Sequence, residues 1–437
     1  MAGSLGAVTD RLEPSAADDV LAHTRPGGDL ILPLANGEPI ALMDAVEAAA
    51  EAGNLHGVRV HQMHALRDRR YLAGEFGDRL HHISYFLSAV TRPHFHAGTI
   101  DLVPNHFSDV PQLLGEQCDD PLILSTASLP DRHGYFSLGT SADYVASFIG
   151  RGRFFLEANA RMPQTFGRNQ LHISQIEGWC RHDAPLETIG SREPSAIDRA
   201  IAAHVAERIP NGATIQTGIG SVPNAILSAM DGHRDIGIHT ELISDGLVDL
   251  IEAGVATGVN KRLNRTKAVG TFALGSQRVY DFIDQNTAVE LWPVNYVNSP
   301  TIIAREPDFV AVNAAVEVDL LGQCASETIG SRYWSSSGGQ ADFAEGSMFS
   351  DGGKAFVVLP STAKDGSISR ISPSLRPGTV VTTLKNTVDH VVTEHGVAEL
   401  RGRSIADRAA ALIAIADPTH RDALTAAARD FGYLNRH

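Results

Sequence analysis

In the stretch GIHTELISDG, residues 237–246, a single carboxylate, Glu241, stands between a short apolar run and a turn that opens a helical pattern. From Leu247 through Val248, Leu250, Ile251 and Val255 the apolar spacing is helical, Ser244 or Asp245 can cap its start, and Gly254 lies near its end. Glu241 is therefore expected just past the C-terminal end of a strand and before a helix N-terminus, the edge at which open α/β sheets bind ligands. A carboxylate so placed can act as a nucleophile toward an activated acyl group. The same place suits a surface acid or a helix cap, and position alone does not separate these readings.

Two glycine-rich loops could serve such chemistry. TGIGSVPNAI, residues 217–226, reads as a turn between a strand and a helix, where backbone N–H groups at the positive helix end suit a phosphate or a developing oxyanion. It is not a dinucleotide fingerprint, because Gly218 and Gly220 are followed by Ser221, Val222 and Pro223 with no third glycine in place. SSSGGQADFAEGS, residues 335–347, puts Gly338 and Gly339 among hydroxyls, which allows close backbone approach to a ligand or makes a flexible surface turn. KRLNRTK, residues 261–267, has cations that could meet phosphates, although such a run is more often a solvated face.

Metal and serine-nucleophile readings find no support in spacing. Among 19 histidines, His61 with His64, His81 with His82, and His94 with His96 are the closest groupings, and none joins Cys or carboxylate at a recognised ligand interval. No metal site is expected. No G-x-S-x-G elbow occurs either.

These residues need elements to position them. Short β-rich runs alternate with helical patterns throughout, for example LILPL before a helix through Ala41 to Ala52, and TIQTG before a helix from Pro223. This predicts an α/β fold of two similar open domains with mainly parallel sheets. The polar stretch RHDAPLETIGSREPSA, residues 181–196, marks the boundary, giving domains at 1–190 and 191–437. A gapless echo supports duplication: Gly28, Ile31, Pro39 and Ala41 line up with Gly212, Ile215, Pro223 and Ala225, and LGTSADY (138–144) faintly matches SGGQADF (337–343). A net charge of −15 and no basic block argue against a nucleic-acid partner. No apolar h-region opens the chain, no long apolar run crosses it, and Cys118, Cys180 and Cys324 lack paired spacing; a reduced, cytoplasmic protein with no membrane partner is expected. Each cysteine reads as a small buried apolar residue.

Taken together, LPLANGEP, YFSLGTSADY, NARMPQTFG, HISQIEG, QTGIGSVPNA, HTELISDGLVDLIEAG, NAAVEVDLLGQ, SGGQADF, LPSTAKDGSISRI and VVTEHGVAELRGRS occur in order over nearly the whole chain. In these motifs the sequence resembles the acetyl-CoA hydrolase/transferase group of family I CoA-transferases. The resemblance implies the CoA-transferase fold with the active site at the domain interface, a homodimer or larger homo-oligomer, and coenzyme A or acyl-CoA as substrate rather than as a permanently bound cofactor. It assigns Glu241 as the catalytic residue. The loops GIGSVPN and SGGQADF would supply backbone N–H groups to the thioester oxyanion and hold the pantetheine arm. This makes Gly218, Ile219, Gly220, Gly338, Gly339 and Gln340 the oxyanion and CoA-binding residues, with Gln216 and Asn224 close by. Lys364 of STAKDG is a CoA contact or a plain surface lysine.

The implied reaction moves CoA between a short-chain acyl-CoA and a carboxylate such as acetate, butyrate or 4-hydroxybutyrate. It runs through an acyl-glutamyl anhydride and a glutamyl-CoA thioester, with no metal or redox cofactor. A carboxylate nucleophile suits this transfer because the anhydride conserves the energy of the thioester, whereas serine would form an ordinary ester. An alternative is an acyl-CoA hydrolase using the same glutamate. A non-catalytic acyl-CoA-binding module is disfavoured because Glu241 and both loops are present. NARMPQTFG and the segment near His94 are open candidates for a carboxylate pocket.

Overall fold

The computed structural model describes residues 13–190, 192–218 and 220–434. Contacts divide the chain into two compact units, Met1–Ile189 with Val269–Val297, and Gly190–Ala268 with Asn298–His437. This differs from a single cut after residue 190, because residues 269–297 return to the first unit. Sequence periodicity carries no sign of that return, which rests on long-range bonds. Asp143 N–H donates to Thr271 O and Val294 N–H to Asp143 O, while Tyr280 Oη donates to Glu187 O and accepts from Asn36 Nδ2.

The first unit is built on a parallel sheet of β1 (Asp29–Leu32), β2 (Val58–Met63), β3 (Leu80–Phe86), β4 (Asp101–Leu102), β5 (Leu122–Ala127), β6 (Arg153–Ala158) and β7 (Gly178–Arg181). Their order is β7-β6-β5-β1-β2-β3-β4. All six residues of β5 are buried, as the apolar run of a parallel strand covered on both faces requires. The helix α1, Ile40–Glu51, turns Leu42, Met43, Ala45, Val46, Ala49 and Ala50 inward at helical spacing. Glu157 at the end of β6 caps it, accepting from the backbone N–H groups of Ile40 (3.0 Å), Ala41 (2.6 Å) and Leu42 (3.1 Å). A second helix, α2, spans Val110–Gln117 and leads through Cys118 toward β5.

The second unit holds β8 (Thr214–Thr217), β9 (Gly237–Ile238), β10 (Phe309–Ala314), β11 (Lys354–Val358), β12 (His390–Thr393) and β13 (Gly396–Glu399). Their order is β9-β8-β10-β11-β12-β13, parallel except for the last pair. Helices α3 (Ser221–Ser228), α4 (Asp245–Glu252) and α5 (Gln340–Phe349) follow strands or loops at the sheet's carboxyl edge. No helix among the described residues is long and apolar enough to cross a membrane.

The two units share a strand plan: β2-β1-β5-β6-β7 in one runs as β9-β8-β10-β11-β12 in the other. Registers agree with the gapless sequence echo. Leu30 pairs with Val60 and Leu122, and its aligned residue Thr214 pairs with Gly237 and Phe309. Counting forward along β2 and β9, His64 occupies the place of Glu241. Counting along β5–β6 and β10–β11, where Thr126 faces Glu157 and Asn313 faces Val357, the capping Glu157 has Val357 as its counterpart. The duplicated scaffold therefore carries a carboxylate in a different place in each half.

Candidate active site

Glu241 lies in the second unit, three residues past the end of β9 and immediately before the short strand Leu242–Ile243. Two contacts hold that turn. Thr240 Oγ1 donates to Thr217 O at the end of β8 (3.3 Å), and the Lys261 ammonium donates to Ile238 O (2.8 Å) and Lys267 O (2.9 Å). Lys261 is only 3% exposed, so this cation of KRLNRTK is neither a phosphate ligand nor part of a solvated face. Its run is pinned further by buried Glu306, which accepts from Arg262 N–H and Leu263 N–H. The following helix α4 starts at Asp245, with Ser244 as the N-cap residue but without a side-chain cap bond.

The Glu241 carboxyl meets three groups. Asn298 Nδ2 donates to Oε2 at 2.9 Å, the Gly339 backbone N–H also donates to the carboxylate, and the charge of Asp342 lies near. Burial dominates the proton affinity and, with repulsion from Asp342, outweighs the two hydrogen bonds, so the carboxyl is pushed up from 4.5 to about 7. Glu241 as a residue stays partly open to solvent. A carboxylate that is poorly hydrated, held by two donors and still approachable is suited to attack an electrophilic carbon.

Gly339 is N-cap to α5, with φ −93°, a value any residue adopts. Glycine is needed there for space: a Cβ on it would collide with Glu241 Oε2 and Asn298 Nδ2. Gly338 before it turns the chain with φ +54°. The same loop that approaches Glu241 through its backbone also supplies Asp342 in the first turn of α5.

The other residues singled out from sequence fall into separate places. Gly218 donates its N–H to Val312 O at 3.3 Å, which engages it within the sheet edge. Ile219 lies outside the described residues. Gly220, with φ +129° and ψ 178°, is N-cap to α3, a helix start with no side-chain cap bond. Gln216 exchanges amide hydrogen bonds with Asn313 at 3.3 Å in both directions, so its side chain is committed to β10. Asn224 sits in the first turn of α3 and is partly exposed. Gln340 turns its amide to Cys324 Sγ (3.3 Å) and Thr383 Oγ1 (3.1 Å), and not to Glu241. Lys364 is exposed at the tip of the hairpin formed by Thr362–Ala363 and Ile368–Ser369, in a turn with φ +50°.

Two residues of the site escaped the sequence reading. Asn298 stands 57 positions from Glu241 in the unremarkable segment VNSP, and no local pattern marks it. Asp342 lies within SGGQADF, a motif in which the sequence singled out Gly338, Gly339 and Gln340.

The chain matches two family models, the acetyl-CoA hydrolase/transferase N-terminal domain over residues 15–186 and the C-terminal domain over residues 275–428. It is 40% identical to succinyl-CoA:cyclohexane-1-carboxylate CoA transferase of Geobacter metallireducens over 94% of both chains. Among solved structures, RipA from Yersinia pestis superposes with a TM-score of 0.92 at 34% identity, covering 98% of this chain and 99% of that one. A 4-hydroxybutyrate CoA-transferase from Porphyromonas gingivalis gives a TM-score of 0.83 at 32% identity, covering 97% and 99%.

Proposed function

Because the chain belongs to the acetyl-CoA hydrolase/transferase family, we propose that it is a CoA-transferase in which Glu241 carries the acyl group and then CoA. The observation behind this reading is the surroundings of that one carboxylate: desolvated, oriented by Asn298, and approached by the bare backbone of Gly339.

In the proposed scheme a Glu241 oxygen attacks the thioester carbon of an acyl-CoA. The C–S bond breaks, leaving an acyl-glutamyl anhydride and CoA thiolate. The thiolate attacks the glutamyl carbonyl, the first carboxylate departs, and a glutamyl-CoA thioester remains. An incoming carboxylate reverses both steps and leaves as the new acyl-CoA. No step needs a metal or a redox cofactor. As oxygen charge develops on the tetrahedral centres, the Gly339 backbone N–H, which donates to the Glu241 carboxylate, would receive it, and a donor of this kind is worth about 3 kcal/mol. Binding of the CoA nucleotide and pantetheine, remote from the reacting carbon, helps to hold the acylated intermediates in line.

The relatives act on different acids, so the substrate class is short-chain or small cyclic carboxylates and their CoA thioesters. Acetyl-CoA incubated with the enzyme should leave a CoA-sized mass on the peptide containing Glu241, and Glu241→Ala should abolish both adduct and transfer. Full transfer activity in Glu241→Ala would remove the proposal. Comparing product formation with acetate, succinate, butyrate, 4-hydroxybutyrate and itaconate against water alone ranks the acceptors; a rate with water equal to the best acceptor rate would make the enzyme a hydrolase instead.

A further inference from the structure

The first unit gathers three residues of different chemistry that linear spacing keeps apart. Asp29 opens β1, His61 lies in β2, and Cys118 follows α2. All three are nearly closed to solvent, at 5%, 1% and 8% exposure. His61 Nε2 is 3.0 Å from Asp29 Oδ1 and 3.6 Å from Cys118 Sγ. The three ligand atoms lie within 4.8 Å of one another. Cys118 is buried as its sequence context suggests, and its sulfur also faces His61, which has the carboxylate and thiol companions that its neighbours in sequence do not provide.

A zinc tetrahedron built with ordinary Zn–N, Zn–O and Zn–S bonds has N-to-O edges of about 3.3 Å and N-to-S edges of about 3.6 Å. The observed separations are close to both. One ring nitrogen faces a carboxylate oxygen and a sulfur together, and a single proton on Nε2 cannot serve both; a cation at their common centre can. Around them stand the supports that metal ligands commonly use. His61 Nδ1 is 3.1 Å from Tyr85 Oη, and Arg59 holds Asp29 through Nε to Oδ1 (2.7 Å) and Nη2 to Oδ2 (2.9 Å).

We propose that Asp29 Oδ1, His61 Nε2 and Cys118 Sγ form a site for a borderline-soft divalent cation, Zn2+ by its mixed oxygen, nitrogen and sulfur donors, with a fourth position for water. On binding, Cys118 gives up its proton to solvent and His61 keeps its own on Nδ1 toward Tyr85, while Arg59 stays as the outer partner of Asp29. The cation would join the start of β1, the middle of β2 and the segment entering β5, and so stabilise the first unit. Because a thiolate must replace the thiol for the metal to bind, affinity rises with pH.

The test uses the full-length protein, stripped with a chelator and titrated with Zn2+ and separately with Co2+. One equivalent of Zn2+ should survive gel filtration, Co2+ should give a thiolate-to-metal charge-transfer band, and the thermal midpoint should rise with added Zn2+. Cys118→Ser and His61→Ala should weaken binding at least about tenfold, and Cys118→Ser should abolish the band. Failure of the wild-type protein to retain Zn2+ or to show the band would overturn the site and leave a closed Asp29–His61–Arg59 hydrogen-bond network. Retention and the band undiminished in Cys118→Ser would overturn it equally. The wild-type measurements decide even if a variant fails to fold.

Discussion

Gly339 lies against Glu241 so closely that its backbone N–H reaches the carboxylate and no side-chain carbon fits between them. Glycine there is a matter of clearance, since its φ of −93° is open to any residue. Gly339→Ala should therefore leave the fold intact by circular dichroism while lowering kcat at least about a hundredfold, the scale of a lost or displaced oxyanion donor. An unaltered rate would mean that this loop does not serve the reacting atoms.

Asn298 and Asp342 pull the Glu241 proton in opposite directions, the hydrogen bond lowering its affinity and the nearby charge raising it. A charge-assisted hydrogen bond contributes about 1.5–3 kcal/mol, so Asn298→Ala should move the acid limb of the kcat/KM profile up by on the order of one pH unit. Asp342→Asn should move it down. Profiles that shift the same way in both variants would contradict this assignment of charges.

Glu241 also links activity to stability. Folded, it holds its proton to about pH 7, whereas the ordinary value is 4.5. Between these values the folded state binds more protons than the unfolded one, so this group's contribution is intact below the lower value and falls as pH rises toward 7. Glu241→Gln does not titrate, and its stability relative to wild type should improve from pH 5 to pH 8 by at most about 3 kcal/mol. Urea unfolding at the two pH values checks this; a difference that stays constant would place the carboxyl in ordinary solvent.

Glu157 performs the opposite task in the first unit, a carboxylate spent entirely on the N-terminus of α1. Removing it leaves three N–H groups, Leu42's buried and those of Ile40 and Ala41 half-buried, without that acceptor. Glu157→Ala should cost about 2–4 kcal/mol and speed hydrogen exchange at Ile40–Leu42, with Glu157→Gln between it and wild type. Exchange unchanged in both variants would show that another acceptor takes over.

Much of this arrangement was legible in residues taken alone. The apolar runs and their punctuation announced alternating strands and helices, and the run before Glu241 placed it at a strand's carboxyl end, because hydrophobic period and turn chemistry are local properties. The echo of Gly28 in Gly212 anticipated a strand plan repeated in two units. The ordered motifs pointed to a family, and the glycines of SGGQADF pointed to close backbone approach.

What the tertiary structure decided are matters of distance between residues far apart in the chain. It chose Asn298 as the donor to Glu241, returned residues 269–297 to the first unit, and turned Gln340 toward Cys324 and Thr383. It buried Lys261 under the strand that leads to Glu241, where sequence showed only a cationic run. It also brought ligand atoms of Asp29, His61 and Cys118 within 4.8 Å of one another. Periodicity reports which face of an element is buried, but not which residue of another element it meets. Burial and neighbouring charge, which tune Glu241, are products of those meetings. The carboxylate of Glu241 and its place beyond a strand were therefore written in the sequence, whereas its proton affinity and its partners came from packing.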